Sequence, residues 1–353
     1  MQRIYLDHNA STPVDPAVAA AMRPFLDGHY GNPSSGHWAA TAAKAALAKA
    51  RSQVAGLLGC HDDEVVFTSG GSEANNFALK GAFFALRDKG DHIVTTRVEH
   101  PAVIEPCRFL ERLGAGVTYL PVDGTGRVEP DDLRKAITPR TVLVSIMHAN
   151  NEVGTIQPIE ECGRIAGERG VLFHTDAAQS VGKISTGVNE LGIDLLSIAG
   201  HKVYAPKGIG ALFVRRGVSM EPLIHGAGHE AGRRAGTESA PLAAALGKAC
   251  ELARDLSEMN RCALCASACG RACSSNSATA WFSMVMPRTD CRTRLTYLSS
   301  AALARRYWPG WMGWRPRPDR RVTPAASSYR RCCKPWESCP TWEWGRSGSV
   351  LGA

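Results

Sequence analysis

The 353-residue sequence predicts an α/β fold with a mainly parallel sheet, and three observations carry that expectation. Short apolar runs alternate with helix-forming segments from residue 15 to residue 258, the order of strand–helix units in layered α/β proteins. The runs are continuously apolar, as in strands buried on both faces of a parallel sheet. The residues of chemical character fall just past the ends of these runs, and such sheets bind ligands at the carboxyl ends of their strands.

Element by element, an Ala-rich stretch at 37–58 has high helix propensity throughout. Val65-Val66-Phe67 is a short strand ending in Thr68-Ser-Gly-Gly-Ser-Glu73, and a helix follows to about Arg87. Further strands are expected at 93–96, 142–147, 171–174, 195–198 and 211–214, with helices at 102–113, 130–136, 158–168 and 239–258. From Arg261 onward neither helical nor strand periodicity is sustained, and Trp308-Pro-Gly-Trp-Met-Gly-Trp is too rich in Pro, Gly and Trp to build either.

Composition narrows the function classes. A hydrophobic content of 44% with 21% charged residues argues against disorder and against a coiled coil. No run approaches the eighteen or so apolar residues of a membrane span, and the first residues lack a signal-peptide core, so a cytoplasmic location and no membrane partner are expected. The net charge of +8 is unevenly placed. Residues 262–353 hold 14 of the 41 basic residues and 4 of the 33 acidic ones, together with 8 of the 12 cysteines and 7 of the 8 tryptophans. Residues 1–261 carry 27 basic and 29 acidic residues, so the basic character belongs to the tail.

Chemistry concentrates at five strand ends. Lys202, in Gly200-His201-Lys202, could form a Schiff base with a carbonyl cofactor, although an isolated loop lysine is more often simply solvated. Asp176 could hold a protonated pyridine nitrogen as pyridoxal phosphate enzymes require, or act as an ordinary helix cap. Gly70-Gly71-Ser72, at a strand-to-helix turn, offers backbone N–H groups to a phosphate. No one of these decides the matter. Their order does: phosphate turn, His100, Asn151, Asp176 and Lys202, each at a separate strand end.

At this point the sequence resembles the cysteine desulfurases of the NifS/IscS type, within the fold type I (aminotransferase class V) pyridoxal phosphate enzymes. The matching stretches begin with Tyr5-Leu-Asp-His-Asn-Ala-Ser-Thr-Pro13, Phe67-Thr-Ser-Gly-Gly-Ser-Glu73, Val98-Glu-His-Pro-Ala-Val103 and Met147-His-Ala-Asn-Asn-Glu-Val-Gly154. They continue with His174-Thr-Asp-Ala-Ala-Gln-Ser-Val-Gly182, Gly200-His-Lys202, His225-Gly-Ala-Gly-His-Glu230 and Arg233-Arg-Ala-Gly-Thr-Glu238, and span roughly residues 3–260.

The resemblance implies a role for each position. Lys202 would bind the cofactor covalently and later move a proton at the substrate α-carbon. His100 would stack on the pyridine ring and share in proton transfer, and Asp176 would pair with the ring nitrogen. Gln179 and Asn151 would bond the phenolic oxygen and the substrate end. Gly71, Ser72 and His201 would hold the phosphate, while Thr237 would reach the phosphate of a neighbouring subunit, which implies a homodimer. Ala199 departs from the pattern, standing where the family has a phosphate-binding serine. The implied domains are an N-terminal segment 1–14 packing with a small domain, a cofactor-binding large domain 15–258, and a small α+β domain at 259–353. The implied reaction takes L-cysteine to L-alanine and passes sulfur to an iron–sulfur scaffold or another acceptor.

The second half of that mechanism needs a nucleophilic cysteine in a Ser-Ala-Cys loop and an arginine in an Ile-Arg-Phe-Ser-Leu-Gly motif, and neither motif occurs in the chain. A lost reading frame near Arg261 accounts for this. Read in the shifted frame, Arg317 to Thr323 can encode Thr-Gly-Ser-Ala-Cys-His, and Gly345 to Gly352 can encode Ala-Ile-Arg-Phe-Ser-Leu-Gly-Arg. The stretch from Asp290 to Ser299 can encode Arg-Leu-Pro-Asn-Thr-Leu-Asn-Val-Ser, another phrase typical of the family. The three matches come in the family's order. Other readings are a different class V enzyme (a selenocysteine lyase or aminotransferase), an inactive pseudogene product, or a nucleic-acid binder suggested by the basic aromatic tail. The last is set aside, because a shifted GC-rich frame yields Arg, Pro and Trp without selection. No metal site is expected: Cys262 and Cys265 have no second ligand pair at zinc spacing.

Overall fold

A computed structural model of the chain describes Tyr5, residues 7–257 and 259–260, and two short strands, Phe282–Val285 and Leu295–Leu298. The frameshift expectation, the tail cysteines and the small-domain expectation for 259–353 concern residues almost wholly outside these.

Seven strands form one sheet: β1 (Val65–Thr68), β2 (His92–Thr96), β3 (Gly116–Leu120), β4 (Thr141–Ser145), β5 (Leu172–Asp176), β6 (Leu195–Ala199) and β7 (Gly210–Val214). Their spatial order is β1-β7-β6-β5-β4-β2-β3. The pairs β2–β3, β2–β4, β4–β5 and β5–β6 are parallel, while β7 runs antiparallel to both β1 and β6. The expected mainly parallel sheet is present. A further antiparallel pair, β8 (Phe282–Val285) with β9 (Leu295–Leu298), lies where the sequence suggested no strand.

The helices are α1 (Pro16–Met22), α2 (Pro24–Asp27), α3 (Thr41–Leu58), α4 (Gly71–Asn76), α5 (Ala82–Ala85), α6 (Pro101–Glu111), α7 (Pro130–Ala136), α8 (Ile159–Glu168) and α9 (Ala240–Ala253). A π-helical turn, Phe77–Gly81, joins α4 to α5. Chain chemistry sets the ends. Asp15 caps α1 by accepting from the Ala17 N–H at 2.7 Å with Pro16 at the first helical position, and Gly59 ends α3 in the left-handed conformation.

Alternation along the strands divides the core in two. On one face Val65, Phe67, Val94, Val144, Phe173, Leu196, Ile198 and Phe213 pack with α3, α8 and α9. On the other, Val66, Ile93, Leu143, Leu195 and Leu212 pack with the 71–85 helical run and α6. Period-2 side-chain alternation in strands covered on both faces produces this three-layer arrangement. The fully buried Phe77, Phe83, Phe173 and Phe213 each contribute about 1.5–3 kcal/mol of burial. Helices α3 and α9 approach so closely that a Cβ at Gly247 would lie 2.5 Å from the Ala50 Cα, so only glycine fits there.

The topology aims the site. Strands β4, β5 and β6 run in parallel, so Asn150, Asp176 and Lys202 follow their carboxyl ends along one edge of the sheet.

Candidate active site

Lys202 ends a short 3-10 turn, Gly200–Lys202, directly after β6. Its ammonium donates to the carbonyl oxygens of Asn9 and of Ala10, the latter at 3.0 Å. Burial lowers its pKa below the ordinary lysine value, while Asp176, Asp7 and Glu152 oppose that effect by favouring the charged form. The N-terminal segment is fastened to the same turn. Thr12 donates through both its N–H and its hydroxyl to the His201 carbonyl, and the Tyr204 N–H donates to the Thr12 hydroxyl at 3.0 Å. The Nδ1 of His201 lies 3.3 Å from the Ser11 hydroxyl, and burial with the nearby charges of Lys202 and Lys207 lowers the His201 pKa. Packing of segment 1–14 against a C-terminal domain concerns residues outside the described set.

Asp176 closes β5 and is buried. One carboxylate oxygen accepts from the Asn75 side-chain amide at 2.6 Å and the other from the Ala178 N–H at 2.9 Å. Asn75 lies in α4 behind the Gly71 turn, so Asp176 and the phosphate turn share a buried link. Behind Asp176 is Glu99, whose carboxyl accepts from the Thr96 hydroxyl and the Met147 N–H, both at 2.8 Å. Its second oxygen is buried without a hydrogen-bond partner, and burial, with Asp176 adding repulsion, pushes its pKa up to about 8. Glu99 is therefore a neutral acid at neutral pH, and Asp176 is the neighbouring charge.

The turn at Gly70-Gly71-Ser72 opens the 71–85 helical run. Gly70 takes φ 150°, ψ −177°, which only glycine holds without strain. A Cβ at Gly71 would come within 3.1 Å of the Ala199 Cβ, so the turn lies flat against the end of β6. The loop carrying Thr237 is tied to this turn through charge. Arg234 donates to Glu73 at 2.8 and 3.2 Å, and Glu73 also accepts from the Ser69 N–H at 2.8 Å. The buried Glu230 accepts two bonds from Arg51 at 2.8 and 2.9 Å and one from the Phe67 N–H at 3.0 Å.

The predicted residues meet to different degrees. Lys202, Gln179, His201 and Asp176 converge at one sheet edge, with Gln179 donating to the Asn9 carbonyl at 3.0 Å. Gly71 and Ser72 adjoin them across Ala199. His100 is exposed and caps α6, its Nδ1 accepting from the Ala102 N–H at 3.1 Å. Asn151 is half-buried and bonds the neighbouring Glu152, whose charge reaches Lys202. Among the described residues, neither His100 nor the exposed Thr237 makes a hydrogen bond to the lysine cluster. Sequence reasoning missed Asn9, Asn75 and Glu99, although the first and last lie inside stretches that the resemblance quotes.

The arrangement suits a phosphorylated pyridine aldehyde. It offers an amine with a lowered pKa, a buried carboxylate for a ring cation, and a glycine turn that a Cβ would fill. The described cysteines do not supply a nucleophile. Burial pushes the thiols of Cys60, Cys107, Cys162 and Cys250 up to about 12, leaving almost no thiolate at neutral pH.

Known proteins share this fold and much of this sequence. The chain is 54% identical over 252 residues to the cysteine desulfurase IscS of Dictyoglomus turgidum, covering 71% of this chain and 64% of that protein. It therefore spans less than two thirds of that relative's length. Among solved structures, SspA in complex with cysteine superposes with a TM-score of 0.69 at 45% identity, covering 70% of this chain and 72% of the other. A NifS-like protein superposes with a TM-score of 0.74 at 38% identity, covering 81% and 78%. Over residues 4–264 the sequence matches aminotransferase class V, and the chain belongs to that family.

Proposed function

We propose that the described domain is the pyridoxal phosphate-binding part of a cysteine desulfurase, which converts L-cysteine to L-alanine and leaves the sulfur on an enzyme thiol as a persulfide. The observation that carries the reading is Lys202 facing the buried Asp176 at adjacent strand ends, beside the Gly71 turn. Pyridoxal phosphate, when bound, supplies an electron sink for the carbanion formed at the substrate α-carbon.

The chain's own groups do the rest. Asp176, already held by Asn75 and the Ala178 N–H, balances a positive ring nitrogen without moving. Burial lowers the Lys202 pKa and so favours the uncharged amine, the form that would bind an aldehyde and take a proton from the substrate. His100, exposed beside this edge, exchanges protons with the substrate. Gly71, Ser72 and His201 hold the phosphate; Gln179 and Asn151 bond the phenolic oxygen and substrate; Thr237 serves a neighbouring subunit in a homodimer. Sulfur transfer is balanced: one thiol plus L-cysteine gives one persulfide plus L-alanine, and the thiol is a loop cysteine.

That thiol does not lie among the described residues, and the reading places its codon out of frame after about residue 261. The 353-residue chain then binds the cofactor in a large domain at 15–258 and forms no persulfide, while the in-frame protein serves iron–sulfur assembly or another acceptor in the cytoplasm. Incubation with pyridoxal phosphate followed by borohydride should fix the cofactor on Lys202, as read by peptide mass, and Lys202→Ala should abolish it. Labelling elsewhere, or none, refutes the site. Sulfide release from L-cysteine by the 353-residue chain, at the rate of an intact enzyme, refutes its inability to form a persulfide, and the coding DNA around codons 255–265 decides the frameshift. Coding DNA that reads without a shift and without a Ser-Ala-Cys codon run at this locus refutes it.

A further inference from the structure

Lys183 is a second lysine at this site with no role in the reaction just described. It follows Gly182, which is left-handed at φ 72° and packs so closely that a Cβ would lie 2.8 Å from the Ala253 Cβ. The backbone is thereby held and the side chain directed toward the site. Part of the side chain reaches solvent, but protein surrounds it closely, and its ammonium donates to the Gln179 Oε1 at 3.0 Å. A cavity beside it is lined by Asp15, Lys202, Tyr204 and Asp255, and His8 also feels its charge.

A lysine ammonium carries three donors and no acceptor. It therefore requires Gln179 to present its oxygen toward Lys183 and its NH2 group to the other side. The NH2 group does face the other side, where it donates to the Asn9 carbonyl, and the Lys202 ammonium donates to that same carbonyl. Lys183 thus donates to Gln179 and Gln179 to Asn9, while Lys202 donates to the same Asn9 carbonyl. The Asn9 carbonyl accepts from one side and Lys183 donates from the other, so both partners favour the same orientation of the amide.

Resting on the reading above, we propose that Lys183 is a positioning residue: it orients the Gln179 amide so that its nitrogen faces the cofactor side of the site and, through Asn9, sets the place of the Lys202 amine. The ligand this serves is one presenting an acceptor oxygen next to its aldehyde, which a Gln179 of opposite orientation would repel. Burial and the like charge of Lys202 push the Lys183 pKa down to about 8, so the ammonium still predominates near neutral pH.

The test is a double-mutant cycle on the full chain, read by the fluorescence-derived Kd for pyridoxal phosphate and by borohydride fixation on Lys202. Lys183→Met should weaken binding about tenfold, the loss expected for one hydrogen bond to a charged group. Gln179→Leu should weaken binding comparably. The double variant should bind no more weakly than Gln179→Leu alone, because Lys183 acts through that amide. Lys183→Arg, also a pure donor, should bind within about twofold of the parent. Additive losses, or tenfold weakening by Lys183→Arg, overturn the inference; the arginine arm decides it even if the methionine variant does not fold. Failure of the parent chain to fix pyridoxal phosphate on Lys202 overturns the functional reading itself. A parent that binds, with a Lys183→Met variant that binds equally well, overturns the inference alone.

Discussion

Glu99 makes the stability of this domain depend on pH in a direction opposite to that of most carboxylates. Its carboxyl accepts from the Thr96 hydroxyl and the Met147 N–H, yet burial and the neighbouring Asp176 push its pKa from 4.5 to about 8. A carboxyl with a raised native pKa contributes stability that is fully present below its unfolded pKa. That stability is lost as pH rises through the native value. Here the window runs from about pH 4.5 to about pH 8. Raising a carboxyl pKa by one pH unit corresponds to about 1.4 kcal/mol, so between pH 5 and pH 8 the parent loses up to about 3 kcal/mol at this one position. Glu99→Gln copies the neutral acid: its amide oxygen keeps both accepted bonds, and its NH2 group replaces the oxygen that has no partner. In urea unfolding at pH 5, 6.5 and 8, the stability of the variant relative to the parent should rise steadily with pH. A gap that does not change across this range refutes the neutral-acid assignment. A gap that narrows reverses its sign.

Three further outcomes are expected. Ala199→Ser places a hydroxyl beside the Gly71 turn, where the Ala199 Cβ already lies, and should tighten pyridoxal phosphate binding about tenfold in a fluorescence titration. Gly247→Ala would drive a methyl group into the Ala50 backbone and should cost about 2 kcal/mol or more in thermal unfolding, since neither helix of the α3–α9 pair can yield alone. Glu230→Ala would remove both bonds to Arg51 and the acceptor for the Phe67 N–H, leaving a largely buried guanidinium without its carboxylate and with only the Val65 carbonyl and the Phe67 ring as partners. The expected loss is about 3 kcal/mol by urea titration, and a loss under about 1 kcal/mol would show that solvent replaces the carboxylate there.

Much of the fold could be read from the sequence because burial on both faces leaves an unbroken apolar signature. β1, β2, β4, β5, β6 and β7 fall within one or two residues of expectation, and helix 130–136 matches at both ends. Edge strand β3 was not legible, since its Gly-Val-Thr-Tyr-Leu run is partly exposed and carries neither an apolar block nor a clean alternation. Helix α1 was missed because seven residues are too few to show a period, although Asp15-Pro16 is a start signal in its own right. At the site, Lys202 and Asp176 were legible because a strand end fixes where each residue lies. The partners of these residues were not. Asn75 reaches Asp176 across 101 residues and Asn9 meets Lys202 across 193, and no local pattern encodes a contact at such separation.

The fastening of residues 9–12 to the turn at 200–204 also dictates an order of assembly during synthesis. Residues 9–12 leave the ribosome about two hundred residues ahead of their hydrogen-bond partners in the 200–204 turn. Contacts so distant along the chain form late, once the sheet between them exists. Strands β2 to β6 can therefore pair while the N-terminal segment is still free, whereas β1 must await β7, its one partner in the sheet. A nascent chain arrested before residue 202 should leave Asn9 and Thr12 open to protease, and one arrested well beyond it should protect them.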